Sequence, residues 1–110
     1  MDVRRIKSAC SETLVLALLR EREMHGYDMC KEIEARSEGY FSLKHSTLYP
    51  LLHRLEKEGL VTSKWAEFDG GKPRKYYTLT RKGIAYHQDT ITSWRELVGT
   101  ISKLMPEVTG

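Results

Sequence analysis

The last quarter of the chain most limits what it can fold into. Ile84, His87, Ile91, Trp94, Val98, Ile101 and Met105 recur at alternating spacings of three and four residues. That is a seam of 3.5-residue period with a single polar member. Leu97 and Leu104 widen the stripe. A helix over residues 81–105 would run about 37 Å at 1.5 Å per residue. The whole chain has 110 residues, one domain's worth, and a core of that size cannot cover such a helix from end to end. The distal half therefore calls for a partner chain, and a homodimer is the simplest one.

The segments before the seam read as three helices and a hairpin. Residues 11–22 form the first helix, with Ser11 as its cap and Glu12 in the first turn, where the helix dipole favours an acid. Its run 14–19 is apolar nearly all round, so it must be covered on more than one side. Residues 26–36 form the second helix, with Tyr27, Met29, Cys30 and Ile33 on its apolar face. In the third, over 46–58, Leu48, Leu51, Leu52 and Leu55 fall on one face. Ser46 or Thr47 caps it, Pro50 sits in or beside its first turn, and Gly59 stops it. Residues 60–68 and 74–80 read as strands joined by Asp69-Gly70-Gly71-Lys72-Pro73, with Tyr76 and Tyr77 as hairpin packing. At least half of Trp65, Phe68, Tyr76 and Tyr77 should be buried. The fold class is mainly α with a small β-hairpin: a winged helix-turn-helix over 1–80 and a C-terminal dimerisation helix over 81–110.

Composition removes several classes of function. With 40% hydrophobic and 30% charged residues the chain is not of the disordered type. No apolar run approaches the roughly 18 residues of a membrane helix. Two cysteines, Cys10 and Cys30, suit a reducing cytoplasm rather than a disulfide framework. No His or Cys spacing suits a metal, no nucleophile sits beside a base, and Gly70-Gly71-Lys72 lacks the parts of a phosphate-binding loop. The expectation is no enzyme, no metal and no cofactor.

Charge is segregated instead. Residues 21–38 carry six acids against three bases, and residues 69–83 five bases against one acid. Arg4, Arg5 and Lys7 read as a tail. A basic wing beside a helix narrow enough for the major groove points to duplex DNA. On the third helix Ser46, Thr47, Tyr49, Pro50 and His53 lie off the leucine stripe, and Lys72, Arg74 and Lys75 crowd the wing. Three bases on a glycine-opened turn suit phosphates.

Three segments together resemble the PadR family of bacterial transcriptional regulators along nearly the whole chain. They are His25-Gly26-Tyr27, the run from Ser46-Thr47-Leu48-Tyr49-Pro50 to Glu58-Gly59-Leu60-Val61, and Gly71-Lys72-Pro73-Arg74-Lys75-Tyr76-Tyr77-Thr78-Leu79-Thr80. Where that family commonly places small residues before the Ser/Thr-Leu-Tyr motif, this chain has Lys44 and His45, which join the candidate DNA contacts. The short C-terminal helix is similar to that of the compact, multidrug-responsive branch, with Trp94 in a matching place. The resemblance implies a homodimer on an inverted-repeat operator, repressing until a small aromatic or hydrophobic effector releases it. Trp94 would then wall an effector site between subunits, with Val15, Ala17, Leu18, Val98 and Ile101 as neighbours. Two other readings stay open: a winged-helix module that binds a protein and no DNA, and a DNA-binding protein without an effector, in which Trp94 only fills an interface.

Overall fold

The computed structural model describes residues 2–67 and 71–109. The order of elements is α1 (Arg4–Glu21), β1 (Met24–His25), α2 (Gly26–Arg36), α3 (His45–Lys57), β2 (Val61–Glu67), β3 (Pro73–Leu79), α4 (Arg81–Leu104) and a 3-10 turn (Pro106–Val108). Phe68, Asp69 and Gly70, expected at the strand end and wing tip, lie outside the described residues.

α1 begins seven residues before the predicted start. Asp2 accepts the Arg4 backbone N–H at 3.0 Å and also holds its guanidinium. Residues 4–10 contain no helix breaker, so the helix runs on through them, and the expected basic tail of Arg4, Arg5 and Lys7 is helical. Ser11 and Glu12 consequently sit in mid-helix. Sequence reading started the helix where apolar periodicity starts, which is later than where the backbone starts. Val15, Leu16, Leu18 and Leu19 are all buried, as a helix apolar on several sides must be.

α2 follows a two-residue strand, too short to show alternation in a sequence. Met24 and His25 pair with Tyr77 and Tyr76, making a three-stranded antiparallel sheet of order β1-β3-β2 where a hairpin alone was expected. His25 also caps α2, its Nδ1 accepting the Asp28 N–H at 3.3 Å. Gly26 lets α3 come close: a Cβ there would stand 3.2 Å from the Tyr49 hydroxyl.

α3 buries Leu48, Leu52 and Leu55 completely and Leu51 in part. Because it starts at His45, Pro50 falls in the second turn rather than the first. The helix ends as predicted. Gly59 takes φ +79°, its N–H donates to Glu56 O at 3.0 Å, and Leu60 N–H donates to Leu55 O at 2.9 Å. This is the paired closing pattern that a left-handed glycine permits.

The core joins α1, α2, α3 and the sheet around Leu16, Met29, Leu52, Val61 and Tyr77. α4 adds to it almost nothing: of its 24 residues only Gly83 and His87 are buried. Thr80 caps α4, accepting from Gly83 N–H at 2.9 Å and donating to Gly59 O at 2.7 Å. Past Trp94 the helix leaves the core, and Leu97, Val98, Ile101, Leu104 and Met105 are exposed.

Candidate nucleic-acid interface

The leucine stripe of α3 faces inward, so its other side is presented to solvent. Lys44, His45, Ser46, Thr47, Tyr49, Pro50 and His53 are all exposed. The structure thus brings the candidate contacts of this helix onto one open face. β3 stands beside that face. Lys72 is exposed, while Arg74 and Lys75 are half-buried. A cleft of about 420 Å³ between helix and wing is lined by His25, Gly26, Tyr27, Tyr49, Trp65, Pro73, Arg74, Lys75 and Tyr77.

The three wing bases are not equivalent. Lys75 Nζ lies 3.9 Å from Glu56 Oε1 and 5.8 Å from the Tyr77 ring centre. Its charge is already partly answered from α3. Arg74 lies over Tyr27, its Cζ 5.6 Å from the ring centre. Neighbours on a strand point to opposite faces, which separates the two. Glu56 also accepts from Ser63 Oγ at 2.5 Å, tying α3 to β2. Among the described hairpin aromatics, Tyr77 is buried, Tyr76 half-buried and Trp65 68% exposed. Tyr76 and Tyr77 thus supply the hairpin packing expected of them, and Trp65 supplies an open flat surface. Burial raises the Tyr77 hydroxyl pKa, with Glu56 and Tyr49 adding to it.

Sequence reasoning missed Tyr27 as part of this surface. Its ring is stacked with His45 at 6.0 Å, and His45 with Tyr49 at 5.8 Å. The signal was available in His25-Gly26-Tyr27, but apolar patterning assigned Tyr27 to the buried face of α2, whereas it is 47% exposed.

The seam on α4 divides in two. Ile84 is exposed, His87 buried, and Ile91 and Trp94 half-buried. Trp94 Nε1 donates to Thr13 Oγ1 of α1 at 3.1 Å. His87 is the clearest correction to the predicted dimer seam. It is enclosed within its own chain because the proximal half of α4 packs on α1. Its Nδ1 is buried without a hydrogen-bond partner among the described residues, and burial, then the Arg20 charge, lowers its pKa.

Val15 and Leu18 also stand apart from the expectation that they would line a site with Trp94. Both are core residues, with no exposed surface at Val15 and 4% at Leu18. The cleft beside Trp94, about 390 Å³, is instead lined by Glu12, Tyr86, Asp89, Thr90, Ser93 and Leu97. Ala17 and Leu18 border a different groove, with Leu14, Ile33 and Phe41.

Glu12 joins this region to α3. One carboxylate oxygen accepts from Tyr86 Oη at 3.0 Å, and the other from Arg54 Nη2 at 2.9 Å. The bond to Glu12 raises the Tyr86 pKa, and bonds to Glu12 and Glu58 raise that of Arg54. Burial pushes the Cys30 thiol pKa up, so Cys30 is a poor thiolate.

The comparisons with known proteins agree with this geometry. The transcriptional regulator PadR-like family matches residues 15–89. The chain belongs to that family. A PadR family transcriptional regulator from Eggerthella lenta is 34% identical, with a TM-score of 0.81 over 94% of this chain and 88% of that one. A transcriptional regulator from Clostridium thermocellum is 28% identical, with a TM-score of 0.84 over 96% of this chain and 99% of that one. Bacillus subtilis PadR, solved in complex with operator DNA, is 32% identical, with a TM-score of 0.67 over 73% of this chain and 45% of that one. This PadR-like chain thus spans under half the length of that relative. Its family and structural neighbours are transcriptional regulators. No helix among the described residues is long and apolar enough to cross a membrane.

Proposed function

We propose that this PadR-like chain is a homodimeric DNA-binding transcriptional regulator of the cytoplasm that represses until a small aromatic or hydrophobic ligand releases it. It works in two parts: residues 1–80 hold DNA, and the helix in 81–110 makes the dimer. The observation that carries the reading is the face of α3. Its leucines are withdrawn into the core, and Lys44, His45, Ser46, Thr47, Tyr49, Pro50 and His53 stand open beside the basic strand β3. α3 enters the major groove, where hydrogen-bonding and flat side chains read base edges. Lys72 and Arg74 hold phosphate, with Lys75 contributing less.

The exposed distal half of α4 supports the dimer. Leu97, Val98, Ile101, Leu104 and Met105 together leave a run of large apolar side chains in water, the kind of patch that marks an interaction surface. In a dimer, Ile84, Ile91, Val98, Ile101 and Met105 lie at or near the second copy, and the open cleft beside Trp94 is closed by it. A planar ligand there stacks on the indole, near Val98 and Ile101. Its entry alters the packing of α4 on α1. Glu12 carries that change to α3 through Arg54.

The test is binding to the duplex upstream of the chain's own gene against unrelated duplex, across a salt series. A preference of tenfold or more, about 1.4 kcal/mol, with steep salt dependence is the expected result. Equal weak binding to both duplexes would replace the repressor with a non-specific DNA-binding role. No binding even at low salt would leave a winged-helix module that docks another protein.

A further inference from the structure

Tyr27 lies on the first turn of α2, outside both α3 and the wing, yet it touches each of them. Its ring is 6.0 Å from that of His45 at an interplanar angle of 18°. His45 is 5.8 Å from Tyr49 at 25°, and His25 is 6.4 Å from Tyr27 at 27°. Four near-parallel rings therefore run in series from the N-cap of α2 into α3. Two cations lie over Tyr27 as well, Lys31 Nζ at 5.4 Å and Arg74 Cζ at 5.6 Å.

The arrangement has a direct physical consequence for Arg74. A guanidinium over an aromatic face is attracted by the ring quadrupole, and that contact removes side-chain freedom before any ligand arrives. The neighbouring cations are engaged differently. Lys75 reaches Glu56 at 3.9 Å and Lys64 reaches Glu23 at 3.5 Å. Arg74 makes no ion pair with a described carboxylate, so the ring orients it while its charge remains available. Within one side chain's reach, His45 is held at the first residue of α3.

We propose that Tyr27 is a positioning residue for DNA binding, holding Arg74 of the wing and His45 at the start of α3 in the relative placement at which both meet one duplex. The inference rests on the DNA-binding reading above. Tyr27 acts through its ring, so the hydroxyl is dispensable. It acts through Arg74, so its loss takes one phosphate contact with it.

The test is fluorescence anisotropy with a labelled duplex from upstream of the gene, over a salt series, on the full chain. Tyr27→Leu is expected to weaken binding about tenfold and to flatten the slope of log K against log salt by about 0.9, the share of one phosphate. Tyr27→Phe is expected to keep the wild-type slope. Arg74→Ala is expected to lose the same share of slope, and the Tyr27→Leu, Arg74→Ala double variant to lose no more than Arg74→Ala alone. A ring that only stabilised the fold would lower the melting temperature and leave the slope unchanged. Tyr27→Met, of similar bulk, gives the same readout if the leucine variant melts below the assay temperature. An unchanged slope in Tyr27→Leu, or additive losses in the double variant, overturns the inference while DNA binding stands. Failure of the wild-type protein to bind DNA at any salt overturns both.

Discussion

Gly83 at the start of α4 lies so close to the backbone of Leu60 that a Cβ would overlap the Leu60 carbonyl oxygen. That carbonyl also accepts the Thr80 N–H at 3.1 Å, so it is not free to move aside. Here the end of α3, the start of β2 and the base of α4 are locked together. Gly83→Ala is expected to cost about 2 kcal/mol or more through forced backbone shifts. Gly99, with nothing within 4 Å of its would-be Cβ, is the matched control. Gly99→Ala is expected to stabilise by about 0.5–1 kcal/mol. Urea unfolding of the two variants checks both signs.

Tyr49 stands on the open face of α3 and owes nothing to the leucine core. Tyr49→Ala is expected to lose about tenfold in affinity for the upstream duplex, about 1.4 kcal/mol, while the oligomeric state holds. Tyr49→Phe separates ring from hydroxyl. If Tyr49→Ala binds like wild type, the residue leaves the list of contacts.

The wing lysines should separate in a salt series. Lys72 is exposed, whereas Lys75 is shared with Glu56. Lys72→Ala is expected to lower the slope of log K against log salt by about 0.9, one phosphate's worth. Lys75→Ala is expected to lower it less, and the double variant to weaken binding to all sequences alike. Equal losses from the two lysines would mean that the Glu56 pair opens on DNA.

The distal half of α4 contributes no buried residue to its own chain. Leu97→Glu with Leu104→Glu is therefore expected to leave the helical signal and melting of the winged domain intact while converting the proposed dimer to a monomer. Sedimentation equilibrium reads the outcome. A variant that remains dimeric would place the interface elsewhere.

His87 gives the fold a pH dependence of known sign. Its ring is buried, and its pKa is lowered from 6.5 by that burial and by Arg20. The unfolded chain therefore binds a proton that the folded chain resists. Stability from this source is complete above the ordinary histidine value. It falls as the pH drops below that value and is lost on passing through the lower folded value. Urea midpoints should drop between about pH 7.5 and about pH 5.5. They should drop less in His87→Gln, which cannot take up the proton.

The sequence by itself determined the elements whose ends carry a chemical signal. α2, α3, β2, β3 and α4 fall within a residue or so of their predicted bounds, because a leucine stripe, Gly59, alternating strand residues and Thr80 act locally on the backbone. It also placed the solvent-facing side of α3, since a period of 3.6 residues fixes which side chains oppose Leu48, Leu52 and Leu55. What the sequence left open depends on which surfaces meet. Whether Tyr27 packs inward or stacks on His45, whether His87 turns to α1 or to a second chain, and whether Lys75 finds Glu56 are contacts between segments distant in the chain. β1 exists only because β3 offers it an edge, and Glu12 bridges Tyr86 and Arg54 only because three helices converge there. Periodicity describes one element at a time, and the partner of each face is decided when the elements pack.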